Sequence, residues 1–214
     1  MPHLTEQNKL ELLEQLFQAG VFKFGEYYLK SGQFTPIYVD LRSLISRPAL
    51  FRNVVGTMWA SIQQRELKFH CLCGVPQAAV PLATGLMVEN GAPMILQRKQ
   101  AKDYGTKKLI EGDFETGQTC LVIEDVTVLG WSIDETTKTL REQGLQVTDA
   151  ITFVDRQQGG SENLAAIGVS LHSALTLDEI LAFLAAKGEI KQEKALEIKD
   201  ILADTSYLQQ NGKH

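Results

Sequence analysis

The stretch 119-TCLVIEDVTVLGWSIDE-135 decides the fold. Residues Thr119 to Ile123 are apolar or small and read as a buried β-strand, which closes on two adjacent acids, Glu124 and Asp125. After a short loop, Ser132 and Glu135 form an S-x-x-E pattern that predicts a helix start closed by a capping box. Strand, acids, loop and helix start together make a common cradle for a phosphate, because a helix N-terminus offers free N–H groups and a favourable dipole. The loop itself is unusual for that task. It reads Thr127, Val128, Leu129, Gly130, Trp131, with one glycine and three bulky apolar side chains where an anion favours small hydroxylated ones.

Working outward, helical and strand-like patterns alternate along the chain. Leu10, Leu13 and Phe17 lie at helical spacing, and Gly20 ends that helix. Residues 26–32 and 36–41 predict two short strands joined by a glycine-containing turn. Ser46 as a cap and Pro48 at a permitted early position predict a helix to about Arg65. Strands follow at 69–75, 93–99, 119–126, 147–154 and 167–173, with helices at 78–90, 132–143, 177–187 and 191–203 and a short helical segment after the fourth of those strands. Strands separated by helical patterns imply right-handed crossovers and a mostly parallel sheet in an α/β protein. No repeat, low-complexity tract or linker divides the 214 residues, so a single domain is expected.

Composition limits the function classes. A net charge of -5, with 44% hydrophobic and 22% charged residues, gives no global basic field for nucleic acid or an anionic membrane, so any anion site is local. The amphipathic, charged N-terminus is not a signal peptide, and no run has the apolar length of a membrane span; a cytoplasmic protein is expected. Cys71, Cys73 and Cys120 lie in apolar runs and read as reduced core thiols, since the Cys-x-Cys pair lacks the second ligand pair that a zinc site would want.

In a parallel sheet, ligands bind outside the carboxyl ends of the strands. Four loops there are unusual: 74-GVPQAA-79, 98-RKQAKDYGTKKLIEG-112, 124-EDVTVLGWS-132 and 155-DRQQGG-160. The second packs Arg98, Lys99, Lys102, Lys107 and Lys108 into eleven residues with Asp103 the single acid. Charge runs are ordinarily solvated surface. On one long loop of a net-negative protein, beside the ligand-binding edge, they can gather and cover a polyanion. The Glu124–Asp125 pair can be a turn signal, but at a strand mouth beside a helix start it can also accept hydrogen bonds from vicinal sugar hydroxyls while the helix end receives a phosphate. That division of labour suits a ribose 5-phosphate. No G-x-G-x-x-G follows any strand, which argues against a dinucleotide-dependent hydride transfer.

These residues carry a resemblance. The stretches 22-FKFGEYYLKSG-32, 36-PIYVDLR-42, 73-CGVP-76, 98-RKQAKDYGTKKLIEG-112, 122-VIED-125, 144-GLQVTDAI-151 and 154-VDRQQGG-160 span nearly the whole chain. They resemble the orotate phosphoribosyltransferase family, most closely the amino-terminal domain of its animal bifunctional members. The resemblance implies the type I phosphoribosyltransferase fold, with a small N-terminal hood at 1–45, a core at 46–190, and a C-terminal helix and the start of an interdomain linker at 191–214. In those relatives an orotidylate decarboxylase domain is fused behind this one, and the resemblance implies such a domain as a partner outside these 214 residues, whether joined to them or separate.

The same resemblance implies transfer of ribose 5-phosphate from phosphoribosyl pyrophosphate, held with magnesium, to a ring nitrogen of orotate, in a homodimer with shared active sites. It assigns Arg98, Lys99, Lys102 and Tyr104 to the pyrophosphate-binding loop, with Lys102 meeting the leaving oxygen. Glu124 and Asp125 become the ribose-binding acids, Asp125 catalytic beside Lys102. Gly130 and Ser132 fall in the phosphate loop, and Lys30, Val128 and Arg156 on the orotate side. Val75, Pro76, Gln77 and Ala78 match a short loop that meets pyrophosphate through its backbone. No residue is implied as a direct protein ligand to the metal.

One departure stands out. Family members carry threonine, a small residue, glycine, then serine or threonine after the acids; here Val128, Leu129, Gly130 and Trp131 occupy that run. Two lost hydrogen bonds to a charged group, at ~1.5–3 kcal/mol each, weaken binding by roughly a hundred- to ten-thousandfold. An indole at 131 also crowds the anion unless it turns outward. The expectation is an impaired phosphate cradle on an orotate phosphoribosyltransferase; the alternative is a catalytically silent relative that binds a nucleotide or a partner as a dimer.

Overall fold

The computed structural model describes residues 5–29, 32–98 and 109–203. Its helices are α1 (Glu6–Gln18), α2 (Pro48–Gln64), α3 (Val80–Asn90), α4 (Trp131–Glu142), α5 (Gly160–Ala165), α6 (Leu177–Ala186) and α7 (Gln192–Ala203). Its strands are β1 (Phe22–Tyr28), β2 (Phe34–Val39), β3 (Cys71–Gly74), β4 (Met94–Gln97), β5 (Ile110–Glu111), β6 (Cys120–Thr127), β7 (Asp149–Asp155) and β8 (Ser170–Thr176).

Among the described residues the main sheet runs β5-β4-β3-β6-β7-β8. All its pairings are parallel except β4 with β5, where Leu96 faces Glu111 and Gln97 faces Ile110. After β3 the chain moves to β4 on one side, then returns to place β6 on the other. The order therefore reverses between β3 and β6, and their carboxyl ends open the crevice where a doubly wound sheet takes its ligand.

Period-2 alternation divides the core between the two faces. Leu72, Leu121, Ile123, Ile151 and Phe153 pack with α1, α2, α3, α6 and α7. Cys71, Cys73, Cys120, Val122 and Ala150 point to the other side and pack with Ile133 and Leu140 of α4 and Leu164 of α5. Each large apolar side chain so buried stabilises the fold by about 1.5–3 kcal/mol relative to exposure. All three cysteines are free and buried, as their apolar setting predicts. No helix among the described residues is long and apolar enough to cross a membrane.

β1 and β2 form a separate antiparallel pair, with Phe22 opposite Val39 and Phe24 opposite Ile37. They lie a few residues earlier than the expected 26–32 and 36–41. Asp40, just past β2, accepts from Lys23 Nζ at 2.8 Å and Arg42 Nε at 2.9 Å. Arg42 first, with Lys23 behind it and against the opposing effect of burial, holds its carboxyl far below the usual carboxylate range.

Three local readings are corrected. α1 buries Leu12, Leu13 and Leu16, while Leu10 is exposed, so the apolar stripe sits to one side of the spacing first traced. Ser46 does not cap α2: it ends a 3-10 turn at Arg42–Ser46, and Arg47 takes the cap position without a side-chain bond. Nor does Ser132 cap α4. Gly130 is the N-cap, in a left-handed conformation with φ 77°, so Ser132 falls inside the first turn and makes no capping bond. A capping box does occur, at Thr176 and Glu179 of α6.

Candidate active site

The crevice between β3 and β6 is built by two tight strand-to-helix connections. At the end of β3, Gly74 lets the chain fold back closely: a Cβ there would lie 2.8 Å from the Ala79 carbonyl oxygen and 2.9 Å from Val80 Cα. The segment it launches, Val75 to Ala79, is anchored by Val75 N–H donating to Ile123 O at 2.9 Å. Gln77 and Ala78 are exposed at its tip, and their N–H groups have no hydrogen-bond partner among the described residues.

At the end of β6, Glu124 is buried and Asp125 half-buried. Glu124 Oε1 accepts from the Asp125 N–H at 3.0 Å, and Asp125 Oδ1 accepts from the Val126 N–H at 2.8 Å. Burial, and then the adjacent Asp125 carboxylate, push the Glu124 carboxyl well above its ordinary range. Two carboxyls so close resist ionising together, which suits a site that waits for sugar hydroxyls or a cation.

Beyond the acids, Val126 to Ile133 wrap a cleft of about 190 Å³, with Leu29 closing one side. Gly130 turns the loop into α4; a Cβ there would sit 2.9 Å from Leu164 Cγ, so both the space and the positive φ demand glycine. The N–H groups of Gly130, Trp131, Ser132 and Ile133 have no acceptor among the described residues. They are the four orphan donors of a helix start, an arrangement that can receive an anion without any hydroxyl. Thr127 adds a hydroxyl that is buried and has no partner among the described residues.

The departing side chains divide into two kinds. Trp131 is 41% exposed, so its indole turns to the surface at the cleft's rim rather than filling it. Leu129 is 5% exposed and faces α5, its Cδ2 lying 3.9 Å from a Cβ built on Gly159, while its carbonyl accepts from Asn163 Nδ2 at 3.0 Å. It is part of the packing that shapes the loop. Val128 is half-buried in the cleft lining.

One strand further along, Arg156 follows β7, whose end is paired to β6 through Thr127 and Asp155. Arg156 is 2% exposed. Nε donates to Gln158 Oε1 at 2.8 Å, Nη1 to Ile37 O at 3.1 Å and Nη2 to Thr35 Oγ1 at 2.8 Å. All three acceptors are neutral, and among the described residues no carboxylate pairs with it. Burial brings its pKa down to about 10, against a smaller opposing effect from Tyr38. A buried cation that lacks a counter-ion is costly, and an anionic ligand would relieve it. With three of its five N–H groups engaged, two remain to donate.

Arg98 stands at the base of the lysine-rich loop, its N–H bonded to Leu109 O at 2.9 Å and its Nη1 3.3 Å from Glu111 Oε1, so β4 and β5 pinch the two ends of that loop together. Lys30, Lys99, Lys102 and Tyr104 lie outside the described residues. Of the remaining candidates, Glu124 and Asp125 lie in the last half of β6, Ser132 in the first turn of α4, and Val75 to Ala78, Val128, Gly130 and Arg156 in the connections that follow β3, β6 and β7, all toward the carboxyl edge of the sheet. Sequence reasoning missed Thr35, Ile37 and Gln158 as the groups that hold Arg156; no spacing rule links residues 119 and 121 positions apart.

No family model matches the chain. An orotate phosphoribosyltransferase of Caenorhabditis elegans is 46% identical over 188 residues, covering 88% of this chain and 83% of that one. The chain belongs to the orotate phosphoribosyltransferase family. The uridine 5'-monophosphate synthase of Bos taurus is 42% identical over 200 residues, covering 94% of this chain but 42% of the bovine protein, so the chain spans less than half of that relative. The UMP synthase structure of Leishmania donovani superposes with a TM-score of 0.81 at 30% identity, over 91% of this chain and 42% of that one. Within this orotate phosphoribosyltransferase fold the reversal of strand order between β3 and β6 falls where the acids and the α4 start lie.

Proposed function

We propose that the chain transfers ribose 5-phosphate from phosphoribosyl pyrophosphate to orotate, giving orotidine 5'-monophosphate and pyrophosphate in pyrimidine synthesis, and that it does so as a cytoplasmic homodimer. The observation that carries this reading is the buried, uncompensated Arg156, one strand from a carboxylate pair and a helix start with four free N–H groups. An anionic ring, a sugar and a phosphate are what such a row of sites would accept.

In the reaction the bond from the sugar's anomeric carbon to the pyrophosphate oxygen breaks, its electron pair leaving with pyrophosphate. A bond from the same carbon to the orotate ring nitrogen forms, and that nitrogen loses its proton. Charge develops at both ends of this exchange, so fixed donors aimed at those points lower the barrier. The N–H groups of Gly130 to Ile133 hold the 5'-phosphate, and Thr127 can add its hydroxyl. Asp125 and Glu124 take the ribose hydroxyls. Gln77 and Ala78 offer N–H groups to pyrophosphate, and Lys102, with Arg98, Lys99 and Tyr104, meets its departing charge. Arg156 and Lys30 receive the orotate carboxylate and carbonyl oxygens, with Val128 beside them.

The residues fit a magnesium ion that arrives on its substrate. Among the described residues no group of three His, Cys, Asp or Glu could hold a metal alone. Glu124 and Asp125 would supply hard oxygens, with substrate phosphates and water completing the shell. Bound there, magnesium would neutralise phosphate charge as pyrophosphate leaves.

A second copy is the occupant proposed for the hollow of about 510 Å³ between α2 and α3, where Ile45 and Val88 are each about two-thirds exposed. Arg52 and Glu89 stand at its rim 3.2 Å apart, a pair that a two-fold axis could exchange between copies. The test of function is pyrophosphate release with phosphoribosyl pyrophosphate and magnesium, compared between orotate and uracil. Release that depends on orotate and is far slower with uracil, which lacks the carboxylate for Arg156, is expected; release indifferent to either base would sink the reading.

A further inference from the structure

A buried chain of amides leads away from Arg156. Arg156 Nε donates to Gln158 Oε1 at 2.8 Å, Gln158 Nε2 donates to Gln33 Oε1, and Gln33 Nε2 donates to Leu202 O at 3.2 Å. The three residues are 2%, 6% and 3% exposed. The chain thus starts at Arg156, passes through Gln33 just before β2 and ends on the Leu202 carbonyl of α7.

The direction of the chain is fixed by chemistry. A guanidinium only donates, so Gln158 must turn its oxygen to Arg156 and its amide nitrogen to Gln33. Gln33 must then turn its oxygen to Gln158 and its nitrogen to the Leu202 carbonyl. Flipping either amide would bring donor against donor and acceptor against acceptor in a buried setting, at a cost far above that of one exposed hydrogen bond. One orientation therefore propagates from the cation to α7.

We propose that Gln158 and Gln33 are positioning residues, which tie the plane of the Arg156 guanidinium to Leu202 of α7 and so set the aim of its two remaining N–H groups at orotate. This rests on the functional reading above. Thr35 and Ile37 fix the Nη side from β2, and Gln158 fixes the Nε side. With Gln158 gone, the guanidinium keeps its charge and two anchors but can pivot about them. A misaimed cation loses orotate specifically. The phosphoribosyl pyrophosphate contacts, at the acid pair of β6, the α4 start and the segment after β3, are left intact.

The test is steady-state kinetics of Gln158→Leu and Gln33→Leu in the full chain. Gln158→Leu should raise KM for orotate about tenfold or more with KM for phosphoribosyl pyrophosphate within about twofold, and Gln33→Leu should do the same more weakly, because the Arg156–Gln158 bond itself remains. In an Arg156→Met background the Gln158→Leu effect on orotate should disappear, since it acts through that side chain. Equal rises in both KM values, or an orotate effect that persists without Arg156, would overturn the proposal. Should the leucine variants not fold, the Arg156 Nε–H resonance of the wild-type protein decides: slow exchange with solvent and loss of that protection in Gln158→Asn supports the relay, and exchange as fast as that of exposed arginines overturns it. A wild type that never consumes orotate would remove the functional reading and this proposal with it, whereas an active wild type and an unchanged Gln158→Leu remove the proposal alone.

Discussion

Replacing Val128 with Thr and Trp131 with Ser would return two hydroxyls to the phosphate loop without touching its packing. The choice of two positions, and not three, comes from the structure. Leu129 is 5% exposed and faces α5, so a polar residue there would give up about 2 kcal/mol or more of burial. Val128 lines the cleft half-buried and Trp131 is 41% exposed at its rim, so neither substitution opens a core cavity. Each restored bond to a phosphate is worth ~1.5–3 kcal/mol, and water already offsets part of that in the parent loop. Taking the lower value for both gives about 3 kcal/mol, a gain on the order of a hundredfold in affinity for phosphoribosyl pyrophosphate. Calorimetric titration with magnesium and without orotate measures it directly. If parent and double variant bind equally, the free N–H groups of Gly130 to Ile133 hold the phosphate alone, and the reasoning about missing hydroxyls is refuted.

Three further outcomes are expected. Asp40→Asn should lower the melting temperature at neutral pH. The Asp40 carboxyl is depressed by Arg42 and Lys23, so its stabilisation is present above its ordinary value of 3.8 and fades as pH falls through the folded value; a deficit that stays constant from pH 7 into strong acid would count against this. Mixing inactive Lys102→Ala subunits with inactive Asp125→Asn subunits should restore part of the activity if the loop of one copy completes the site of the other, and no recovery after demonstrated subunit exchange would count against sharing. Val88→Asp, on the rim of the hollow between α2 and α3, should shift sedimentation from dimer to monomer, and an unchanged sedimentation coefficient would place the interface elsewhere.

Strong periodic segments were legible before any coordinates: the buried run ending at Glu124, the α4 pattern and the crossovers that make the sheet parallel all follow from apolar spacing. The short β5 was not, because two residues paired to an edge strand carry no period to read. Ser132 illustrates a different limit. An S-x-x-E pattern announces a cap only if the serine stands just before the helix, and the left-handed Gly130 takes the cap position two residues earlier. Trp131 could not be placed from sequence, since whether an indole fills a cleft or leaves it depends on the turn that precedes it. The setting of Arg156 was equally hidden. Its position after β7 was readable, but its burial beneath β2 and the amides that run to α7 depend on contacts more than a hundred residues apart.

The most direct measurement follows label from ribose-labelled phosphoribosyl pyrophosphate into nucleotide, with magnesium and orotate, on the folded chain. The account predicts labelled orotidine 5'-monophosphate at a rate that saturates in both substrates and vanishes when orotate is omitted. Label that stays in phosphoribosyl pyrophosphate, under conditions where an active orotate phosphoribosyltransferase transfers it, would contradict the account.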